Sequence, residues 1–230
     1  TRCRNAAGFF ICSFTSTIKI IKLLENLFVN SHRSMSSKIQ AMLSDANKAY
    51  KDGQFELSRL LLLDILRADQ FNQAAKELLA YVYLSQGKDM QGQQLLEEVA
   101  SQPNASLSAL YEYGSFILNK SPLHAIELLE RALQIKPDSF EVLHDLGAAY
   151  ACVGLKQKAI EKFDEAVKIN PNSSELFYNL GRLHDELRNS SVANNCYRKA
   201  MAIDPKFTEA RINLALNLNQ SGSYEEGMIL

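Results

Sequence analysis

From residue 39 onward the chain keeps one rhythm of apolar and polar positions. Apolar residues return every third or fourth place over helix-length stretches, which are separated by short breaks. Leu143, Leu146 and Tyr150 share one face of one stretch; Ala159, Phe163 and Ala166 share one face of the next. Each stretch reads as an amphipathic helix, and the chain as an all-α fold of helices joined in pairs.

The pattern repeats. Small residues Ala46, Ala80, Gly114, Gly147, Gly181 and Ala215 recur at separations of 34, 34, 33, 34 and 34. A second register holds Ser58, Gly92, Ala125, Ala159, Ala193 and Gly227, and a third holds Ile65, Val99, Ala132, Ala166 and Ala200. Prolines recur at Pro137, Pro171 and Pro205, after the second helix of a pair, which they cannot continue. Gly53, Gly87, Gly154 and Gly222 fall between paired helices, where a left-handed cap favours glycine. A small residue on each helix lets two backbones approach closely where they cross.

Leu143-x-x-Leu146-Gly147-x-x-Tyr150, followed by Ala159-x-x-x-Phe163, Ala166 and Pro171, resembles the tetratricopeptide repeat signature. Phe177-x-x-Leu180-Gly181-x-x-His184, with Ala193-x-x-x-Tyr197, Ala200 and Pro205, is similar to it again. Units 39–72, 73–106, 107–139, 140–173 and 174–207 follow one another, and 208–230 begin a sixth, so the resemblance covers about five sixths of the chain. It implies a right-handed superhelical solenoid of antiparallel helix pairs.

Departures from the pattern carry expectations of their own. Unit 107–139 is one residue short between its helices, where Ser121-Pro122 reads as an N-cap with proline at the first helical position. Arg188 stands where the inter-helix glycine belongs, so that turn is expected to be strained or differently closed. Residues 1–38 read as an N-terminal extension, non-native or poorly ordered. Its first 34 residues are either a genuine extension or sequence lying ahead of a start at Met35. Ile18, Ile21, Leu24 and Phe28 share one face there, and the apolar run from Ala6 to Phe14 is too short to span a bilayer. At the other end the sixth unit stops in mid-helix at Met228-Ile229-Leu230, as in a fragment of a longer protein or a frayed end.

Composition narrows the function. Residues 1–38 carry six basic side chains against Glu25, while the remainder holds 19 basic and 25 acidic ones. A mildly acidic body lacks the basic stripe that nucleic acid requires, so no nucleic-acid or membrane partner is expected. The four cysteines (Cys3, Cys12, Cys152, Cys196) lack metal-ligand spacing and read as reduced thiols of a cytoplasmic protein, two of them half-buried in the repeat helices. His32, His124, His144 and His184 show no ligand spacing either, and His184, replacing the usual aromatic, is expected to be half-buried. There is no phosphate loop or nucleophile elbow, so neither an enzyme nor a cofactor is indicated. Glu141, Glu175 and Glu209 form a column at first-helix starts, where a carboxylate favours the positive end of the helix dipole.

In the family the first helices line a concave groove, and the resemblance implies where a ligand sits. Position six of successive first helices gives Asp145, Asn179 and Asn213, similar to the asparagine ladder in the repeat region of O-GlcNAc transferases. Asparagine offers a donor and an acceptor, so such a column suits a peptide backbone. Earlier units depart from it with Ser44, Leu78 and Glu112. Position five contributes His144 and Tyr178, and position nine Arg182. The tyrosines equally suit packing between units, and Arg182 equally suits pairing with Asp185 or Glu186 on its own helix. The subgroup that grips a chaperone carboxylate is rejected, because only Asn47 matches its pattern. The expected function is a protein-interaction scaffold holding a protein or extended peptide in the groove. The alternatives are the substrate-recognition array of a larger glycosyltransferase, sulfotransferase or methyltransferase, and self-association through an uncapped C-terminal face.

Overall fold

A computed structural model describes residues 35–222 and Gly227. The expectations for residues 1–34, and for the second helix of the sixth unit apart from Gly227, fall outside the described residues. The described residues form eleven helices and no strand. They are α1 (35–51), α2 (Phe55–Ala68), α3 (Gln73–Ser85), α4 (Asp89–Ala100), α5 (Leu107–Ile117), α6 (Pro122–Ile135), α7 (Phe140–Cys152), α8 (Lys156–Ile169), α9 (Ser174–Glu186), α10 (Ser190–Ile203) and α11 (Thr208–Gln220). This is the expected all-α succession of helix pairs, with α1 opening ahead of the first repeat boundary. The chain divides into two compact units, up to Leu95 and from Leu96, with the break inside α4.

In the first unit Ala46, Leu62, Ile65, Ala75, Leu79 and Val82 form the core. The residues of the second and third registers are both accommodated there. Ser58 is fully buried at the crossing, and its hydroxyl donates to the Ala46 carbonyl at 2.8 Å, so the polar atom is satisfied. Ile65, in the place of a small residue, is itself fully buried.

In the second unit α5 packs on α6, α7 on α8 and α9 on α10, and the pairs are joined through α6–α7, α8–α9 and α10–α11. The glycine register explains the close pairing. A Cβ at Gly147 would stand 2.7 Å from the Phe163 ring, and one at Gly181 2.5 Å from the Tyr197 ring. Each ring rests in the space a side chain would fill, and both rings are buried. The third register has a second use: the amides of Lys136, Asn170 and Asp204 close α6, α8 and α10 on the carbonyls of Ala132, Ala166 and Ala200 at 2.9–3.0 Å. The next helix then begins after the proline turn. Ser173 caps α9 by accepting from the Leu176 amide, and Ser106 caps α5 by accepting from Ala109. Ser121 does occupy the N-cap of α6 with Pro122 behind it, but its side chain makes no capping bond.

The turns within pairs follow one design except in the shortened α5–α6 turn, where the amides of Lys120 and Ser121 both donate to the Ile117 carbonyl and no residue is left-handed. Gly154 has φ +79°, its amide donates to Ala151, and the Leu155 amide reaches back to the Tyr150 carbonyl at 2.9 Å. Arg188 adopts the same geometry, with φ +62°, its amide on Asp185 and the Asn189 amide on His184 at 2.8 Å. The turn is therefore closed as the others are, and it is strained because an L side chain holds the left-handed conformation. Two further expectations divide. His184 is half-buried as read, whereas Cys152, ending α7, is exposed and only Cys196 is half-buried.

Two stability changes follow. Arg188→Gly relieves the left-handed penalty and is expected to raise the unfolding free energy by about 0.5–1 kcal/mol, after the entropy glycine adds to the unfolded chain. Gly181→Ala is expected to lower it by about 1–3 kcal/mol, because the added methyl meets a ring with no room to retreat. Urea midpoints of the two variants against wild type check both signs.

Candidate peptide groove

The expected site residues lie on α7, α9 and α11, the first helices of three consecutive repeats in the second unit. Three cavities run along these helices. One of about 200 Å³ lies between α7 and α9, lined by Ala148, Ala151, Phe163, Asn179, Arg182 and Leu183 among others. One of about 470 Å³ lies beside α9 and the start of α11, with Glu175, Tyr178, Asn179, Asp204, Phe207 and Glu209 on its walls. A third of about 270 Å³ holds Arg182, Asp185, Tyr197, Asn213, Leu216 and Asn217. Asn179 lines the first two and Arg182 the first and third, so these two side chains join the cavities into one run.

The position-six column is not chemically uniform. Asn179 is half-buried and makes no side-chain hydrogen bond among the described residues, which leaves its donor and acceptor open. The Asn213 amide donates to the Tyr197 hydroxyl at 3.4 Å. Asp145 is engaged by His144, whose Nδ1 lies 3.0 Å from the Asp145 carboxylate. The other ring nitrogen of His144 is 3.8 Å from Glu175 on α9, so this imidazole stands between carboxylates of two repeats. The Asp145 hydrogen bond, and then the charges of Glu175 and Asp145, raise the His144 pKa above its ordinary value, while burial works against them.

Tyr178 packs its ring 5.0 Å from Phe207 and 6.1 Å from Tyr197, and the Arg182 guanidinium lies over it at 5.9 Å. Arg182 is thus drawn to an aromatic face, in place of the ion pairs weighed for it. Asp185 instead accepts from the Tyr197 hydroxyl and the Asn217 amide, each at 2.6 Å, and Glu186 pairs with Lys156 at 2.9 Å. Asn217 also donates to Asn194 at 3.0 Å, so a chain of polar bonds ties α9, α10 and α11. Burial, reinforced by Asp185, pushes the Tyr197 hydroxyl well above the usual phenol range, so it stays a donor.

Sequence reading missed the aromatic wall of Phe207. In the first unit, positions five and nine of the first helices give Leu43, Glu77, Asn47 and Tyr81, and these line a cavity of about 590 Å³ between α1 and α3 together with Tyr50 and Leu78. Position six offers no ladder there, because it holds Ser44 and Leu78. Among the described residues no group of His, Cys, Asp and Glu is placed to hold a metal ion, and no helix is long and apolar enough to cross a membrane.

Family models described as tetratricopeptide repeat match residues 140–173 and 174–207, the same two units that the spacing delimits. No curated protein matches the chain. Among solved structures, it is similar to YrrB, described as a TPR protein with an unusual peptide-binding site, at 20% identity over 74% of this chain and 88% of that one, with TM-score 0.67. It is similar also to MamA AMB-1, at 22% identity over 74% and 93% with TM-score 0.63, and to MamA MSR-1, at 21% over 74% and 98% with TM-score 0.61. At these identities the likeness establishes the fold.

The His144 contacts give a pH dependence of definite sign. With its folded pKa raised, His144 contributes stability that is complete below the unfolded value of about 6.5 and is lost as pH rises through the folded value. The stability difference between wild type and His144→Gln is expected to be larger near about pH 6 than near about pH 8.5. Thermal unfolding of both proteins at the two pH values measures it.

Proposed function

Because the chain is a tetratricopeptide-repeat protein, we propose that it is a protein-interaction scaffold that holds an extended peptide segment along α7, α9 and α11. The observation that carries this reading is Asn179, a half-buried amide with its donor and acceptor open, placed where two cavities meet. An amide in that position satisfies both the N–H and the C=O of one peptide unit, which an extended backbone presents whatever its side chains. Tyr178 and Arg182 flank it, Asp145 and Asn213 stand at the equivalent positions of the neighbouring repeats, and His144 borders Asp145. YrrB, a protein of the same fold with a peptide-binding site, supports the reading by analogy.

Asn179→Ala removes these hydrogen bonds without touching a core contact. It is expected to weaken binding of a fluorescently labelled extended-peptide pool by about three- to tenfold, with the thermal midpoint unchanged. Fluorescence anisotropy on the two proteins measures it. Equal affinity in a folded variant would show that a peptide backbone does not sit at Asn179.

A further inference from the structure

Two of the cavities are one cavity repeated. Every residue lining the α7–α9 cavity has its counterpart 34 positions later in the α9–α11 cavity that contains Asn213. The chemistry changes between the copies. Ala151, Phe163 and Leu183 in the first become Asp185, Tyr197 and Asn217 in the second. The groove therefore offers an apolar pocket followed by a polar one.

The charge around the polar end is one-sided. Five carboxylates and one guanidinium line the three cavities, and of the five Glu186 is paired with Lys156, which leaves Glu175, Asp185, Asp204 and Glu209. The guanidinium, Arg182, already lies over the Tyr178 ring, so that ring face receives a cation in the structure itself. Beside it Tyr178 and Phe207 make an apolar wall, and Glu175 stands at the rim with its side chain 68% exposed. Glu175 and Glu209 each open a helix and meet its positive end, which carries only about half a charge against each full carboxylate.

We infer that the segment this groove takes is basic: an apolar side chain enters between α7 and α9, and a lysine or arginine side chain enters the cavity walled by Tyr178, Phe207, Glu175 and Glu209. A long basic side chain fits both parts of that cavity, with its methylenes on the rings and its charge at the carboxylates. An acidic segment is repelled by the same groups, so selection rests on repulsion of the wrong segment as well as attraction of the right one.

This rests on the groove reading above, and the test separates the two. The full chain is titrated by fluorescence anisotropy with a labelled peptide pool in which apolar residues alternate with lysine, and with the same pool carrying glutamate for lysine. The lysine pool is expected to bind about tenfold tighter or more, and its affinity to fall as salt rises. Glu175→Gln combined with Glu209→Gln is expected to cut lysine-pool affinity by about three- to tenfold while leaving the weak binding of the glutamate pool no weaker. Ala151→Leu, which fills the apolar pocket, is expected to weaken the lysine pool without altering its salt dependence. Equal affinity for the two pools, or no response to the double glutamine variant, overturns the inference and leaves the groove standing. Binding of neither pool by the folded chain overturns the groove reading with it.

Discussion

In the α7–α8 and α9–α10 pairs the repeat depends on a contact between a ring and a bare backbone. Phe163 lies against Gly147, and Tyr197 against Gly181, closer than any Cβ would allow. That contact sets the distance between the two helices of a repeat, and the distance in turn decides which faces remain for the next repeat. Leu143, Leu146, Leu176 and Leu214 are then buried between successive pairs. The constraint is steric, so it is met by residue size at fixed spacing and tolerates large variation elsewhere.

This is why the fold was legible before any coordinates. A requirement for small size at one place per repeat leaves a periodic mark, and the three small-residue registers carry it. Most turns within pairs are legible for the same reason: a left-handed residue closes those at Gly53, Gly87, Gly154 and Gly222, and Arg188 takes that conformation where glycine is missing, while the shortened α5–α6 turn closes without one. Features that occur once leave no such mark. The exposure of Cys152 and the unused capping hydroxyl of Ser121 depend on local packing that no period reports.

The candidate site was legible only in part. Position counting finds Asn179, Asn213 and Asp145, but it treats them as equivalent. The structure distinguishes them by their neighbours: His144 engages Asp145, Tyr197 engages Asn213, and Asn179 remains open. Nor does position counting show Phe207, which lies in an inter-repeat turn and reaches the groove only because that turn folds back against Tyr178.

Residue identities within a repeating cavity are linked to one another. A tyrosine hydroxyl in the place of Phe163 would be costly to bury without a partner. In the next repeat the hydroxyl of Tyr197 has Asp185, which stands where the preceding repeat has Ala151, and Asp185 is completed by Asn217 on α11, which stands where α9 has Leu183. Asn194, the further partner of Asn217, stands in the place of Ile160. One added oxygen at the helix crossing thus brings with it three polar side chains on three helices. The steric rule is untouched, since the ring still rests on its glycine, while the cavity wall at these positions has changed from apolar to polar. The 34-residue offset between the two cavities lets this linked substitution be read within a single chain.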